Sequence, residues 1–88
     1  AMTHALVTGG GTGVGKAIAL SLADAGHDVT ICGRRADVLD EVAAAHPRIH
    51  AEIADVTDEA SVATLYENAT AARGPFGIVI ANAGAGES

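Results

Sequence analysis

Aromatic side chains are nearly absent from this chain of 88 residues: it has one Tyr, one Phe and no Trp. With 49% of its residues hydrophobic, its core must come from Ala, Val, Ile and Leu. No platform of rings for stacking nucleobases can be built. Basic residues are also scarce, with 5 Lys and Arg against 11 acids and a net charge of −6. Lys16, Arg34, Arg35, Arg48 and Arg73 are scattered rather than striped, which excludes the usual electrostatic footprint of a nucleic-acid binder. A single cysteine, Cys32, cannot close an internal disulfide, as expected of a protein kept in the reducing cytoplasm. No run reads as a secretory leader or reaches the roughly 20 apolar residues of a membrane span. Ala1, ahead of Met2, reads as a residue left by tag cleavage and is set aside. The length allows one domain, which buries only about 60–65% of the surface its unfolded chain exposes, so its stability is expected to be modest.

What is present is an alternation of short apolar runs and helical patterns. The spacing predicts a strand over His4–Thr8, a helix from Gly13 to Ala25 that buries Val14, Ile18, Leu22 and Ala25, and a stop at Gly26. A strand over Val29–Gly33 follows, then a helix over Ala36–Ala45 with Val38 and Val42 inward and Pro47 beyond its end. A third strand spans Arg48–Ala54. Thr57 or Asp58 caps a third helix whose buried face is Val62, Leu65, Tyr66 and Ala69, and Gly74-Pro75 ends it. Phe76–Ala81 is the fourth strand. Ala5-Leu6-Val7 and Ile78-Val79-Ile80-Ala81 are continuously apolar, as in strands covered on both faces, whereas the third strand alternates and suits an edge. Together these features predict a partial doubly wound α/β fold with a parallel sheet in order 3-2-1-4.

The most informative segment is Thr8-Gly9-Gly10-Gly11-Thr12-Gly13-Val14-Gly15, between the first strand and the first helix. Glycines at 9, 13 and 15 let the chain turn sharply and open a helix whose bare N–H groups face outward, where a phosphate can reach them. Two phosphate motifs overlap here. Gly10, Gly15 and Lys16 fit the start of a P-loop, but Ala17 stands where a hydroxyl should hold Mg²⁺. The fourth strand also ends in Ala81-Asn82, without an acid to support the metal. The dinucleotide alternative gains from three further positions. Gly33-Arg34-Arg35 ends the second strand, where an Asp or Glu would read the 2′-hydroxyl of NAD and where Arg34 can instead present its planar fork to the 2′-phosphate of NADP. Solvated loops carry arginine pairs too. Asp55-Val56 ends the third strand, where the carboxylate can accept from an adenine amino group or simply serve the turn. Asn82-Ala83-Gly84 ends the fourth, at the edge where such sheets hold ligands, and can equally form a plain turn.

Together these residues resemble the short-chain dehydrogenase/reductase family across essentially the whole chain. Residues 8–15 look like its cofactor turn and Asp55-Val56 like its adenine-binding pair. Ala81-Asn82-Ala83-Gly84 resembles its Asn-Asn-Ala-Gly motif, with Ala81 in place of the first Asn. The resemblance implies a Rossmann-type domain of which residues 1–88 are the N-terminal part. It also implies hydride transfer between a nicotinamide and a carbonyl or alcohol carbon of a small-molecule substrate, for example a 3-oxoacyl thioester, by an enzyme that is a homo-oligomer. The implied cofactor residues are Gly9, Gly11, Thr12, Gly13, Val14, Gly15, Gly33, Arg34, Arg35, Asp55, Val56, Asn82, Ala83 and Gly84. Gly33-Arg34 resembles the NADP-preferring members, so NADP(H) is expected over NAD(H), although Thr12 stands where those members often carry a second basic residue. The Ser and Tyr-x-x-x-Lys that the family uses for catalysis have no counterpart: the one Tyr is Tyr66 and the one Lys is Lys16. The 88 residues are therefore expected to hold a cofactor half-site and to be inactive alone, as a fragment of a longer enzyme. A nucleotide-binding module without chemistry and a P-loop phosphotransferase remain as alternatives. His4, His27, His46 and His50 lack ligand spacing, so no metal site is predicted, and Cys32 is expected to be a small buried hydrophobe. The apolar fourth strand is expected to drive the 88 residues to associate edge to edge.

Overall fold

Strands and helices alternate strictly in the computed structural model, which describes residues 3–11 and 13–82. In chain order these are β1 (His4–Thr8), α1 (Gly13–Asp24), β2 (Asp28–Gly33), α2 (Ala36–Ala44), β3 (Ile49–Ile53), α3 (Glu59–Arg73) and β4 (Phe76–Ala81). All pairings are parallel and the sheet order is β3-β2-β1-β4, the partial Rossmann-like arrangement that the alternation predicts.

Parallel neighbours need crossovers, and the helices supply them on both faces. Ala5 and Val7 of β1, Val29 and Ile31 of β2, and Ile49 of β3 point to one face, where they pack against Ala19 and Ala23 of α1 and Leu39 and Val42 of α2. Leu6 and Cys32 point to the other, where Leu65 of α3, Ala54 and Phe76 meet them. Cys32 is fully buried, and burial pushes its thiol up to about 11 despite a hydrogen bond from the Gly9 backbone. It is an inert core residue.

The ends of the helices follow local chemistry. Gly26, at φ 101°, ends α1, and the His27 amide donates back to the Leu22 carbonyl at 3.1 Å. Of the two candidate caps of α3, Asp58 does the work: its carboxylate accepts from the Ala60 amide at 3.0 Å. Gly77 is the residue that β4 bulges out between its pairings with His4 and Ala5, and a Cβ there would meet Thr3 Cγ2 at 2.5 Å.

Four details depart from the sequence pattern. The stripe that α1 buries is Gly15-Ala19-Ala23, while Ala25 is exposed and Val14 is 67% exposed. Small side chains fill the stripe that faces the sheet, and Ile18, Leu20 and Leu22 flank it, half-buried and packed against the same core. In α2 the inward pair is Leu39 and Val42, with Val38 half-buried. Tyr66 is exposed on α3 and touches Phe76 edge-to-face with ring centroids 5.1 Å apart. Finally, β4 is not covered on both faces. Ile78 and Ile80 pack on the α1 side, but Val79 is 51% exposed, because α3 alone does not reach across that face.

Candidate functional site

The carboxyl ends of the four parallel strands share one edge of the sheet, where the glycine turn follows β1. The turn is fastened to β2 by the Gly9 amide, which donates to the Cys32 carbonyl at 2.9 Å. It is fastened to β4 through Asn82. The Asn82 amide donates to Thr8 Oγ1 at 2.8 Å, and its Nδ2 donates to the Gly9 carbonyl at 3.3 Å. The Thr8 hydroxyl in turn donates to the Ile80 carbonyl at 3.4 Å. The Ala54 amide, donating to the Gly33 carbonyl at 2.8 Å, aligns the end of β3 with that of β2.

Glycine is required in this turn for separate reasons at separate positions. Gly9 and Gly13 have φ values of 67° and 55°, which other residues rarely adopt. At Gly15 the demand is for space, since a Cβ would run into the Gly9 carbonyl oxygen and come within 2.8 Å of Asn82 Nδ2. At Gly13, by contrast, a Cβ would meet nothing within 4 Å among the described residues, so the turn opens outward there. The first turn of α1 holds no acid, leaving the positive end of the helix dipole uncompensated. Bare backbone, open space and a positive helix end together fit a phosphate-bearing ligand.

Beyond the turn, Gly33 is not imposed by packing. Among the described residues a Cβ there would meet only Leu39, at ordinary contact distances from 3.7 Å, so contact at Cβ does not demand glycine. Arg34 and Arg35 follow, both exposed. Arg35 pairs with Asp37 at 3.8 Å, whereas Arg34 makes no ion pair within 4 Å among the described residues. The Arg34 charge reaches Asp55: donation from Thr57, reinforced by Arg34, holds the Asp55 carboxyl below its ordinary value. Asp55 is thus a fixed anion at the end of β3, with Val56 exposed beside it.

Of the predicted cofactor residues, the structure brings Gly9, Gly11, Gly13, Val14, Gly15, Gly33, Arg34, Arg35, Asp55, Val56 and Asn82 to this one edge of the sheet. Thr12, Ala83 and Gly84 lie outside the described residues. Three supporting residues stand outside the implied cofactor set: Thr8, at the start of the turn, which holds Asn82, and Thr57 and Ser61, which hold Asp55. The Asp-x-Thr spacing, which favours a side-chain-closed turn, was the available signal for Thr57. Lys16 is exposed on α1 and Tyr66 is exposed on α3. Among the described residues no group of three or more His, Cys, Asp or Glu is placed to hold a metal ion, and no helix is long and apolar enough to cross a membrane.

Comparison with known proteins agrees with this geometry. The sequence is 46% identical over 83 residues to the oxidoreductase asL5 of Sarocladium schorii, covering 93% of this chain and 33% of that protein. A short chain dehydrogenase from Bacillus anthracis superposes with a TM-score of 0.88 at 28% identity, over 92% of this chain and 34% of the other. An alcohol dehydrogenase from the archaeon Thermococcus sibiricus, complexed with 5-hydroxy-NADP, superposes with a TM-score of 0.84 at 26% identity, over 90% and 36%. The chain spans about a third of the length of the curated relatives it matches. The sequence pattern of the short chain dehydrogenases runs through residues 3–88, and with the glycine turn, the strand order and these relatives in agreement, the chain belongs to that family.

Proposed function

We propose that the chain is the adenine-side half of an NADP(H) site in a reductase that transfers hydride to or from a carbonyl or alcohol carbon. The nicotinamide supplies the hydride when the cofactor is bound. The residues present here bind and orient the other end: the glycine turn takes the pyrophosphate, Arg34 the 2′-phosphate, Asp55 the adenine amino group, and Asn82 braces the turn. The observation that carries the preference for NADP(H) is Gly33-Arg34. Among the described residues the position tolerates a Cβ and so does not demand glycine, yet it holds glycine in place of an acid that would repel a phosphate, followed by an arginine with no ion pair of its own among the described residues. The reading extends to a longer, homo-oligomeric enzyme in the cytoplasm, where the thiol of Cys32 stays reduced. Its substrate would be a small carbonyl or alcohol compound, with 3-oxoacyl thioesters in that class. Proton transfer would rest on groups other than Tyr66 and Lys16, so the 88 residues alone would bind cofactor and transfer no hydride.

Fluorescence titration with NADPH and NADH tests this. The chain is expected to favour NADPH, and Arg34→Ala to lose about 10- to 100-fold in NADPH affinity, the worth of one charge-assisted contact, with NADH affinity unchanged. Equal affinities in the unaltered chain would overturn the NADP(H) preference. Failure to bind either dinucleotide at millimolar concentration would overturn the site itself.

A further inference from the structure

We infer that Ser61 and Thr57 are positioning residues that aim the Asp55 carboxylate and so make the site select adenine. The inference rests on the dinucleotide reading above and adds to it the means by which the base is chosen. Asp55 is the first residue beyond the last sheet bond of β3, at a point where a chain would ordinarily be loose. Here it is held on every side. Its amide donates to Ser61 Oγ at 2.9 Å. Its carbonyl accepts from the Asp58 amide at 3.0 Å. Its Oδ1 accepts from both the Thr57 amide at 2.9 Å and the Thr57 hydroxyl at 2.6 Å.

These contacts divide the work between two hydroxyls of opposite role. The Ser61 hydroxyl accepts and fixes the backbone. It stands near the start of α3, a helix anchored to the sheet by buried Leu65 and Ala69. The Thr57 hydroxyl donates and fixes the side chain. Asp58 takes no part through its carboxylate, which caps α3 at Ala60. The result is a carboxylate with one oxygen consumed by the turn. Among the described residues Oδ2 accepts no hydrogen bond, so it is available as an acceptor. An ionised carboxylate oxygen can only accept. It therefore favours a base that presents a donor, as adenine does with its exocyclic amino group. It disfavours hypoxanthine, which carries a carbonyl oxygen at the same place.

The test compares NADPH with its hypoxanthine analogue, reduced nicotinamide hypoxanthine dinucleotide phosphate, by titration of the 88-residue chain and its variants. The unaltered chain is expected to prefer the adenine form by about tenfold, the value of one hydrogen bond to a charged group. Asp55→Ala should abolish that preference. Ser61→Ala and Thr57→Val should each reduce it to about twofold or less while leaving affinity for the hypoxanthine form unchanged, and Ser61→Thr, which keeps the hydroxyl, should restore it. A residue that only supported the fold would weaken both dinucleotides together and leave their ratio intact. If Ser61→Ala binds neither form, Thr57→Val, at an exposed position, decides the matter. Preference lost in Asp55→Ala but kept in full by Thr57→Val and Ser61→Ala would overturn this inference and leave the dinucleotide site standing. Absence of any preference in the unaltered chain would remove the adenine role of Asp55, and this inference with it.

Discussion

Glycine inside a helix normally costs about 1 kcal/mol relative to alanine, so Gly→Ala there usually stabilises. Gly15 reverses that sign, although it lies in the first turn of α1. Its missing Cβ is what allows the Gly9 carbonyl to sit against the helix and to accept from Asn82 Nδ2. The obstacle is backbone on one side and a braced amide on the other, and neither can swing away as the end of a flexible side chain could. Gly15→Ala is therefore expected to destabilise the chain by about 1–3 kcal/mol, the usual cost of overpacking. Val14→Ala next to it, at a site 67% exposed, should change stability by no more than about 0.5 kcal/mol. Urea denaturation of both variants checks the pair. A stabilised Gly15→Ala would mean that the turn is not held as tightly as the Asn82 bracing requires.

At the scale of elements, the strands were legible because a buried parallel strand has little choice. Ala5-Leu6-Val7 and Ile31-Cys32 are apolar in succession, and both faces took them in. The faces of the helices were less legible. Period alone cannot tell a stripe of branched residues from the neighbouring stripe of small ones, and in α1 the fully buried stripe is Gly15-Ala19-Ala23, with Ile18 and Leu22 half-buried beside it. The inside of the α3 face was hidden for another reason: it is partly polar. His4 is buried, its Nδ1 donating to the Gly74 carbonyl at 2.8 Å and its Nε2 bonded to Thr30 Oγ1 at 2.7 Å. Beside it, His50 of β3 lies 3.7 Å from Asp28, and Arg73 of α3 lies 3.8 Å from Glu52. Burial holds the His50 imidazole below its ordinary value of 6.5. The charge of Arg73 adds to this, and His4 adds a little more, while Asp28 pulls the other way and loses. The unfolded chain thus takes up this proton at a higher pH than the folded one. The His50 contribution to stability is complete above about pH 6.5 and is lost as pH falls through the lower folded value. Thermal melts between pH 7.5 and 5 should show His50→Gln losing less stability on acidification than the unaltered chain. Parallel curves for the two would show that His50 bears no such cost.

At the scale of the whole molecule, the two edges of the sheet are built differently. The β3 edge carries charge: Arg48 pairs with Asp28 at 3.8 Å, and Glu52 with Arg73 at 3.8 Å. Such residues discourage another chain from pairing there. The β4 edge carries none. Phe76–Ala81 holds no charged residue, and among the described residues it pairs only with β1, with Val79 half exposed at its centre. A strand of this kind presents unpaired backbone groups flanked by apolar side chains, which is the pattern that recruits a further strand. The 88-residue chain is expected to self-associate through β4, with a sedimentation coefficient that rises with concentration. Val79→Lys places a charge at the middle of that edge without entering the core, because Val79 faces the side that α3 leaves open. This variant should sediment as a monomer at concentrations where the unaltered chain does not. Its affinity for NADPH should be unchanged, since the carboxyl ends of the strands are untouched. An unaltered chain that stays monomeric at all concentrations would show that the bare edge is not an association site. Association that survives Val79→Lys would move it to another surface, of which exposed Ile53, Val56 and Tyr66 are the large apolar points left on the described residues near β3 and α3.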